Sequence, residues 1–117
     1  MTAQVNVTGT RRPIGLTPSD TNEATIFTAG EAVTTLVQFW VANLTATAAT
    51  TTIKWGDGST DYPLISVFSV PARGYLREDC MIPLRPGYTV KVTSGTSSAL
   101  TYSVIITEAA GGLGGKV

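Results

Sequence analysis

LTYSVIIT, at residues 100–107, places a large apolar side chain at every second position and a threonine, serine or isoleucine between them. YTVKVT, at residues 88–93, shows the same alternation, with two threonines and a lysine at the intervening positions. Successive side chains of a β-strand point to opposite faces, so each stretch predicts a strand with one clean inward face. Two such strands favour an all-β protein with a single core between two sheets.

Short extended runs separated by turn residues continue towards the N-terminus. We expect further strands at residues 24–28, 33–44, 50–55, 61–66, 67–70 and 75–84. Asp57-Gly58 and Pro86-Gly87 supply tight turns between strands, because glycine accepts positive φ. No long window shows a helical stripe. About eight short strands with frequent turns predict a single β-sandwich, and jelly-roll and immunoglobulin-like strand orders both fit this spacing.

The longest run, residues 33–44, carries apolar side chains on both faces. Counting in steps of two puts Val33, Val37, Phe39 and Val41 on one face. Leu36 and Trp40 fall on the other face. This pattern predicts a strand that is also covered on its outer side, by an N-terminal arm or by a neighbouring subunit.

Two segments of different composition flank the predicted sandwich, which we place at residues 23–109. Residues 1–22 have few apolar side chains and are interrupted by glycine and proline, which predicts an extended N-terminal arm. Residues 110–117 are rich in glycine and predict a flexible tail. The arm is either a disordered terminus or a segment that orders on a neighbouring subunit. In the second case its partner-binding residues are Arg11, Arg12, Ile14 and Leu16.

Composition excludes several classes of function. The chain has 117 residues, of which 14% are charged, and its eight basic and eight acidic residues cancel. A nucleic-acid or anionic-membrane partner calls for a basic stripe or cluster, which is missing. The N-terminal residues lack the pattern of a secretory signal peptide, and no apolar stretch is long enough to span a bilayer. We therefore expect synthesis in a cytoplasm.

The residues that carry most enzyme chemistry are absent or poorly placed. Histidine, the commonest general base and metal ligand, does not occur. Cys80 is the only cysteine and follows Glu78 and Asp79, whose charges oppose thiolate formation. Those adjacent carboxylates point to opposite faces of a strand and so cannot flank one glycosidic bond. The sequence predicts no catalytic residue and no cofactor.

One spacing of oxygen side chains resembles part of a calcium loop. Asp57, Ser59 and Asp61 alternate across a turn, but the distal bidentate carboxylate of a complete loop does not follow. The simpler interpretation, which we prefer, is a hairpin turn with no metal.

Two aromatic residues stand apart from the predicted core. Trp40 lies opposite the apolar phase of its strand, and Tyr62 follows the hairpin turn. An exposed aromatic side chain on a small sandwich is typical of a partner contact. We therefore add both to the predicted partner-binding residues. A carbohydrate-binding module that uses the same two rings is the alternative.

A succession of short motifs between Ala24 and Glu108 resembles small β-sandwich virion proteins of tailed bacteriophages. The motifs are TIFTA (25–29), VAN (41–43), TIKW (52–55), VPARG (70–74), LRPGY (84–88), VKVT (90–93) and SVIITE (103–108). They are strand and turn patterns, not chemical signatures.

The resemblance implies a structural, non-enzymatic role and a location in the virion. The first hypothesis is a capsid decoration protein that binds the major capsid protein as a homo-oligomer, with a trimer suited to a local threefold axis. A neck or tail connector, or a fibre-anchoring protein, is the alternative within the virion. Residues 1–22 are then expected to carry much of the lattice contact, and their deletion is expected to abolish binding to the particle while leaving the sandwich folded.

Overall fold

The computed structural model describes residues 10–108, so the predicted tail and residues 1–9 of the predicted arm lie outside it. Within this range the chain forms eight strands and no helix, and therefore no helix that is long and apolar enough to cross a membrane. The strands are β1 (Thr10–Leu16), β2 (Ala24–Thr28), β3 (Thr34–Asn43), β4 (Ala49–Gly56), β5 (Asp61–Val70), β6 (Tyr75–Leu84), β7 (Thr89–Ser94) and β8 (Leu100–Glu108). The prediction of an all-β sandwich with about eight strands is confirmed.

The strands form two antiparallel four-stranded sheets. Sheet A has the order β1-β8-β3-β6, and sheet B has the order β2-β7-β4-β5. The strand pairs are nested along the chain: β1 pairs with β8, β2 with β7, β3 with β6, and β4 with β5. Such nested pairing, wrapped across two sheets, is the jelly roll. The structure thereby decides between the two strand orders that the sequence left open, because the immunoglobulin order groups the strands differently.

The core lies between the two sheets and consists mainly of aliphatic side chains. In β8, Leu100, Tyr102, Val104 and Ile106 are all at most 1% exposed, as the alternation predicts. The core comprises Ile26, Phe27, Ala29, Leu36, Phe39, Val41, Ala49, Ile53, Val70, Leu84, Val90, Val92, Ala99, Leu100, Tyr102, Val104 and Ile106.

A β-bulge in β3 explains why its sequence is apolar on both faces. Leu36 pairs with Ile106 but Gln38 pairs with Ile105, so β3 has one residue more than β8 at Val37. The extra residue moves the inward phase from even to odd numbers, and both Leu36 and Phe39 are buried. The strict period-two assignment of Leu36 to the outer face is therefore wrong, while Trp40 does lie on that face.

The sandwich begins before residue 23, where the sequence pattern placed its boundary. Residues 10–16 of the predicted arm form β1, which pairs along its whole length with β8 of the same chain. Pro13 and Gly15 suggested an irregular segment, but an edge strand tolerates both, because one side of its backbone needs no ladder partner. Ile14 and Leu16 pack against the core.

Residues 61–70 form one strand, β5, where the sequence suggested two. The apparent break coincides with Val67, whose φ is 48°, and with a shift of register against β4. A bulge of this kind bends the strand without ending it. The structure still has eight strands, because β1 was not predicted and the two strands predicted at residues 61–70 are one.

Candidate functional site

The side of the sandwich between β5 and β6 is open. These strands are the edges of sheets B and A, and each is ten residues long. A cleft of about 420 Å³ lies between them, lined by Phe39, Leu64, Ile65, Phe68, Leu76, Glu78, Asp79 and Cys80. We call this cleft and the two strands beside it the open side. Long exposed edge strands are templates for contact with another chain, which makes this the first candidate surface.

Side chains that belong to the inward phase reach solvent on the open side. Phe68 pairs with Thr51, which is 1% exposed, yet Phe68 itself is 46% exposed. Glu78 pairs with the buried Phe39 and is likewise exposed. The core therefore continues laterally into the cleft, where apolar side chains and the carboxylates of Glu78 and Asp79 are left without a covering layer.

The two acidic residues of the open side have different surroundings. The Asp79 carboxylate accepts a hydrogen bond of 2.7 Å from Nε2 of Gln38. Within the described residues, Glu78 has neither an ion pair nor a side-chain hydrogen bond. Burial, and then the charges of Asp79 and Glu78, raise the pKa of the neighbouring Cys80 thiol. Cys80 therefore stays protonated and acts as a small apolar side chain, as the sequence indicates.

A second surface lies on the outer face of sheet A, around Trp40. Its indole Nε1 donates a hydrogen bond of 2.6 Å to Oε1 of Gln38, and its ring stacks on Tyr75 at 5.8 Å between centroids. The Arg77 guanidinium lies 5.4 Å from the Trp40 ring centre. We call Trp40, Tyr75 and Arg77 the Trp40 patch. The hydrogen bond and the cation–π contact hold the indole in one orientation while it remains 37% exposed.

Tyr62 belongs to a different aromatic group. It stacks on Trp55 at 4.7 Å, and Trp55 stacks in turn on Tyr88 at 5.9 Å. The structure therefore does not bring Trp40 and Tyr62 together in one stack, as a shared sugar platform would require.

The four arm residues predicted to bind a partner divide into two groups. Arg11 and Arg12 are exposed, while Ile14 and Leu16 are partly buried against the protein's own core. Nε of Arg12 donates to Oε1 of Glu108 at 2.9 Å, and this hydrogen bond lowers the pKa of the Glu108 carboxyl. Arg11 forms no ion pair within the described part of the chain.

The acidic residues of the loop with calcium-like spacing, Asp57 and Asp61, are engaged in hydrogen bonds and an ion pair within the protein. The Asp57 carboxylate accepts hydrogen bonds from the backbone N–H groups of Thr60 at 2.8 Å and Ser59 at 2.9 Å, which lower its pKa. Asp61 instead forms an ion pair of 3.1 Å with Lys91. No group of three or more potential metal ligands occurs among residues 10–108.

Sequence reasoning missed the residues that dominate the open side. Val67 and Phe68 were assigned to an ordinary strand, and Met81 to a strand near its end. They are 69%, 46% and 74% exposed respectively. Their apolar character was visible in the sequence, but which strands form the sheet edges depends on the strand order, which the spacing did not settle.

Comparison with known proteins gives likenesses of fold. No protein-family model and no curated protein matches the chain. A capsid structure of the Helicobacter pylori bacteriophage KHP30 superposes with a TM-score of 0.58 at 5% identity, covering 87% of this chain and 90% of that one. A pentameric capsid protein from metagenomic phage sequences gives 0.51 at 18% identity, covering 92% and 68%.

A likeness of similar quality comes from outside viruses. A protein of the disulfide-linked pili that form Bacillus endospore appendages gives a TM-score of 0.52 at 13% identity, covering 86% of this chain and 87% of that one. At these identities the likeness concerns the fold alone. The chain thus has a jelly-roll fold of the kind found in phage capsid proteins.

Proposed function

We propose that the chain is a non-enzymatic structural protein of a bacteriophage virion, and specifically a capsid decoration protein. The fold that it shares with phage capsid proteins supports the structural role. A jelly roll offers rigid sheets and long edges for lateral contacts, and it is a recurrent architecture of viral capsid domains.

The distribution of exposed apolar residues carries the proposal. Eight large hydrophobic side chains are exposed in the described part of the chain, and six of them lie on or beside the two strands of the open side. Those six are Tyr62, Val67 and Phe68 on β5, Tyr75 and Met81 on β6, and Trp40 stacked on Tyr75. Exposed apolar side chains concentrated along one side of a fold are typical of an interaction site, and here they suit a protein that works inside an assembly.

We assign the contact with the major capsid lattice to the Trp40 patch. Its rings are held in place before binding, so docking costs little side-chain entropy, and aromatic and arginine side chains are the residues most enriched at interface hot spots. A homo-oligomer, with a trimer at a local threefold position of the lattice, would present several patches at once and gain avidity.

The test uses shells of a phage whose genome encodes the chain, prepared without this protein. Saturable binding at a fixed ratio to the major capsid protein is expected. Trp40→Ala combined with Tyr75→Ala should abolish binding without unfolding the sandwich, whereas Val33→Ala, an exposed apolar residue outside the patch, should bind normally.

Other outcomes would reject the decoration role. Binding restricted to isolated necks or tails would indicate the connector or fibre-anchoring function. Binding to glycans, lost when both Trp40 and Tyr62 are mutated and accompanied by no binding to shells, would indicate the carbohydrate-binding module.

A further inference from the structure

We propose that the open side of one copy binds the β1 edge of a second copy, with Arg11 of β1 paired to Glu78 of the open side. This inference rests on the proposed function in one respect, that the protein acts as an assembly. It uses the cleft between β5 and β6, whereas the Trp40 patch lies on the outer face of sheet A, and it is tested without any capsid.

The open side specifies the chemistry of its occupant. Its cleft exposes Leu64, Ile65 and Phe68, so an apolar partner surface would remove them from water. Glu78 lines the same cleft and has no cation beside it within the described residues. Covering a carboxylate is strongly unfavourable unless the partner brings a positive charge. The occupant must therefore combine apolar contacts with at least one cation.

The β1 edge of the same chain has that combination. Arg11 is exposed and has no ion pair among residues 11–108, while the neighbouring Arg12 is already held by Glu108. Pro13 is exposed and lies on the same outer face of β1 as Arg11, whereas Ile14 and Leu16 lie on the core-facing side. An arginine without an ion pair, next to an exposed proline on the same face, complements an apolar cleft in which the Glu78 carboxylate has no ion pair.

The β1 edge and the open side lie on opposite sides of the molecule, so the contact between two copies is head to tail. β1 and β6 are the opposite edges of sheet A, so a copy that offers β1 to its neighbour keeps its own open side free for the next copy. A contact between two different surfaces generates a ring when the rotation between copies closes. Pro13 in β1 and Pro83 in β6 each lack an N–H group, so a continuous backbone ladder between copies would be incomplete. Side chains therefore carry the contact.

Native mass spectrometry and sedimentation of the full chain test the proposal. The wild-type protein should form a closed oligomer. Arg11→Glu and Glu78→Arg should each weaken self-association by at least roughly tenfold, about 1.4 kcal/mol. The double variant R11E/E78R reverses the pair and should restore the oligomer. Arg85→Glu is the matched control, because it reverses the charge of an exposed residue in the turn between β6 and β7. It should leave the oligomer unchanged.

Several outcomes would overturn the proposal: a monomeric wild-type protein at high concentration, equal effects of R11E and R85E, or no rescue in the double variant. Thermal unfolding of each variant separates lost association from lost folding. Phe68→Asp, which adds a further negative charge to a cleft already lined by Glu78 and Asp79, is an independent probe and should also give monomers. Binding to shells is measured separately, so failure of this contact is distinguishable from failure of the decoration role.

Discussion

At the scale of single residues, Tyr102 connects the two sheets through a hydroxyl inside the core. It lies on β8 in sheet A, and its hydroxyl is 2.6 Å from Oγ1 of Thr51 on β4 and donates to the carbonyl oxygen of Thr93 on β7 at 3.0 Å. Both partners belong to sheet B. Both hydrogen bonds share the Tyr102 hydroxyl, so its loss removes both of them and leaves the buried Thr51 hydroxyl without this partner.

Tyr102→Phe should therefore lower the free energy of unfolding by about 2 kcal/mol, because it leaves buried polar groups unsatisfied. Urea denaturation measures the change. Tyr75→Phe removes the same atom from a residue that is 65% exposed and should change stability little. Equal effects of the two substitutions would show that the hydroxyl does not connect the sheets.

Alkaline pH should weaken the fold. Burial raises the pKa of the Cys80 thiol and of the Tyr102 hydroxyl above their ordinary values of 9.0 and 10.0. The folded protein then holds protons that the unfolded chain releases, so this stability is complete below pH 9 and declines as pH rises through the folded pKa values. Denaturation between pH 7 and 11 should show the decline, and a double variant C80S/Y102F should flatten it; an unchanged slope would contradict the assignment.

At the scale of elements, the bulge in β3 decides which neighbours face the core. Phe39 is 3% exposed and the adjacent Trp40 is 37% exposed. Phe39→Ala should cost about 3–5 kcal/mol through the cavity that it leaves. Trp40→Ala should cost far less and should act on partner binding instead. Thermal unfolding of both variants checks the pair, and comparable losses of stability would mean that the two faces are assigned incorrectly.

How far each element is predictable from sequence depends on the regularity of its pattern. β7 and β8 alternate without interruption, and the turn at Pro86-Gly87 forms as predicted: Gly87 has φ 88° and N–H of Tyr88 donates to the Arg85 carbonyl at 2.9 Å. β3 and β5 do not alternate strictly, because each contains a bulge that changes which residues face the core. No characteristic residue type marks either bulge in the sequence. β1 is missed because it is recognisable only through its pairing with β8, about 90 residues away in sequence.

The residues of the candidate surfaces were likewise predictable only where a local sequence pattern marks them. Exposure of Trp40 and Tyr62 could be predicted because each departs from a local pattern. The open side could not, since Phe68 and Glu78 occupy ordinary inward positions. They become surface residues only because their strands are sheet edges, which is a property of the strand order.

At the scale of the whole molecule, the position of β1 changes the meaning of a truncation. The sequence led us to expect that deletion of residues 1–22 would leave the sandwich folded. Because β1 pairs with β8 and packs Ile14 and Leu16 against the core, that deletion should destabilise the fold and lower the melting temperature. Deletion of residues 2–9, which leaves β1 whole, is the control. Similar melting temperatures for both truncations would contradict the role of β1 in the core.

The central claim is that many copies of this protein cover a capsid, and the number of copies per particle tests it most directly. Quantitative mass spectrometry of purified virions gives the ratio of this chain to the major capsid protein. We predict a ratio near one or near a simple fraction of one, constant between preparations. A few copies per particle would move the protein to the neck or tail, and its absence from the virion would contradict the account.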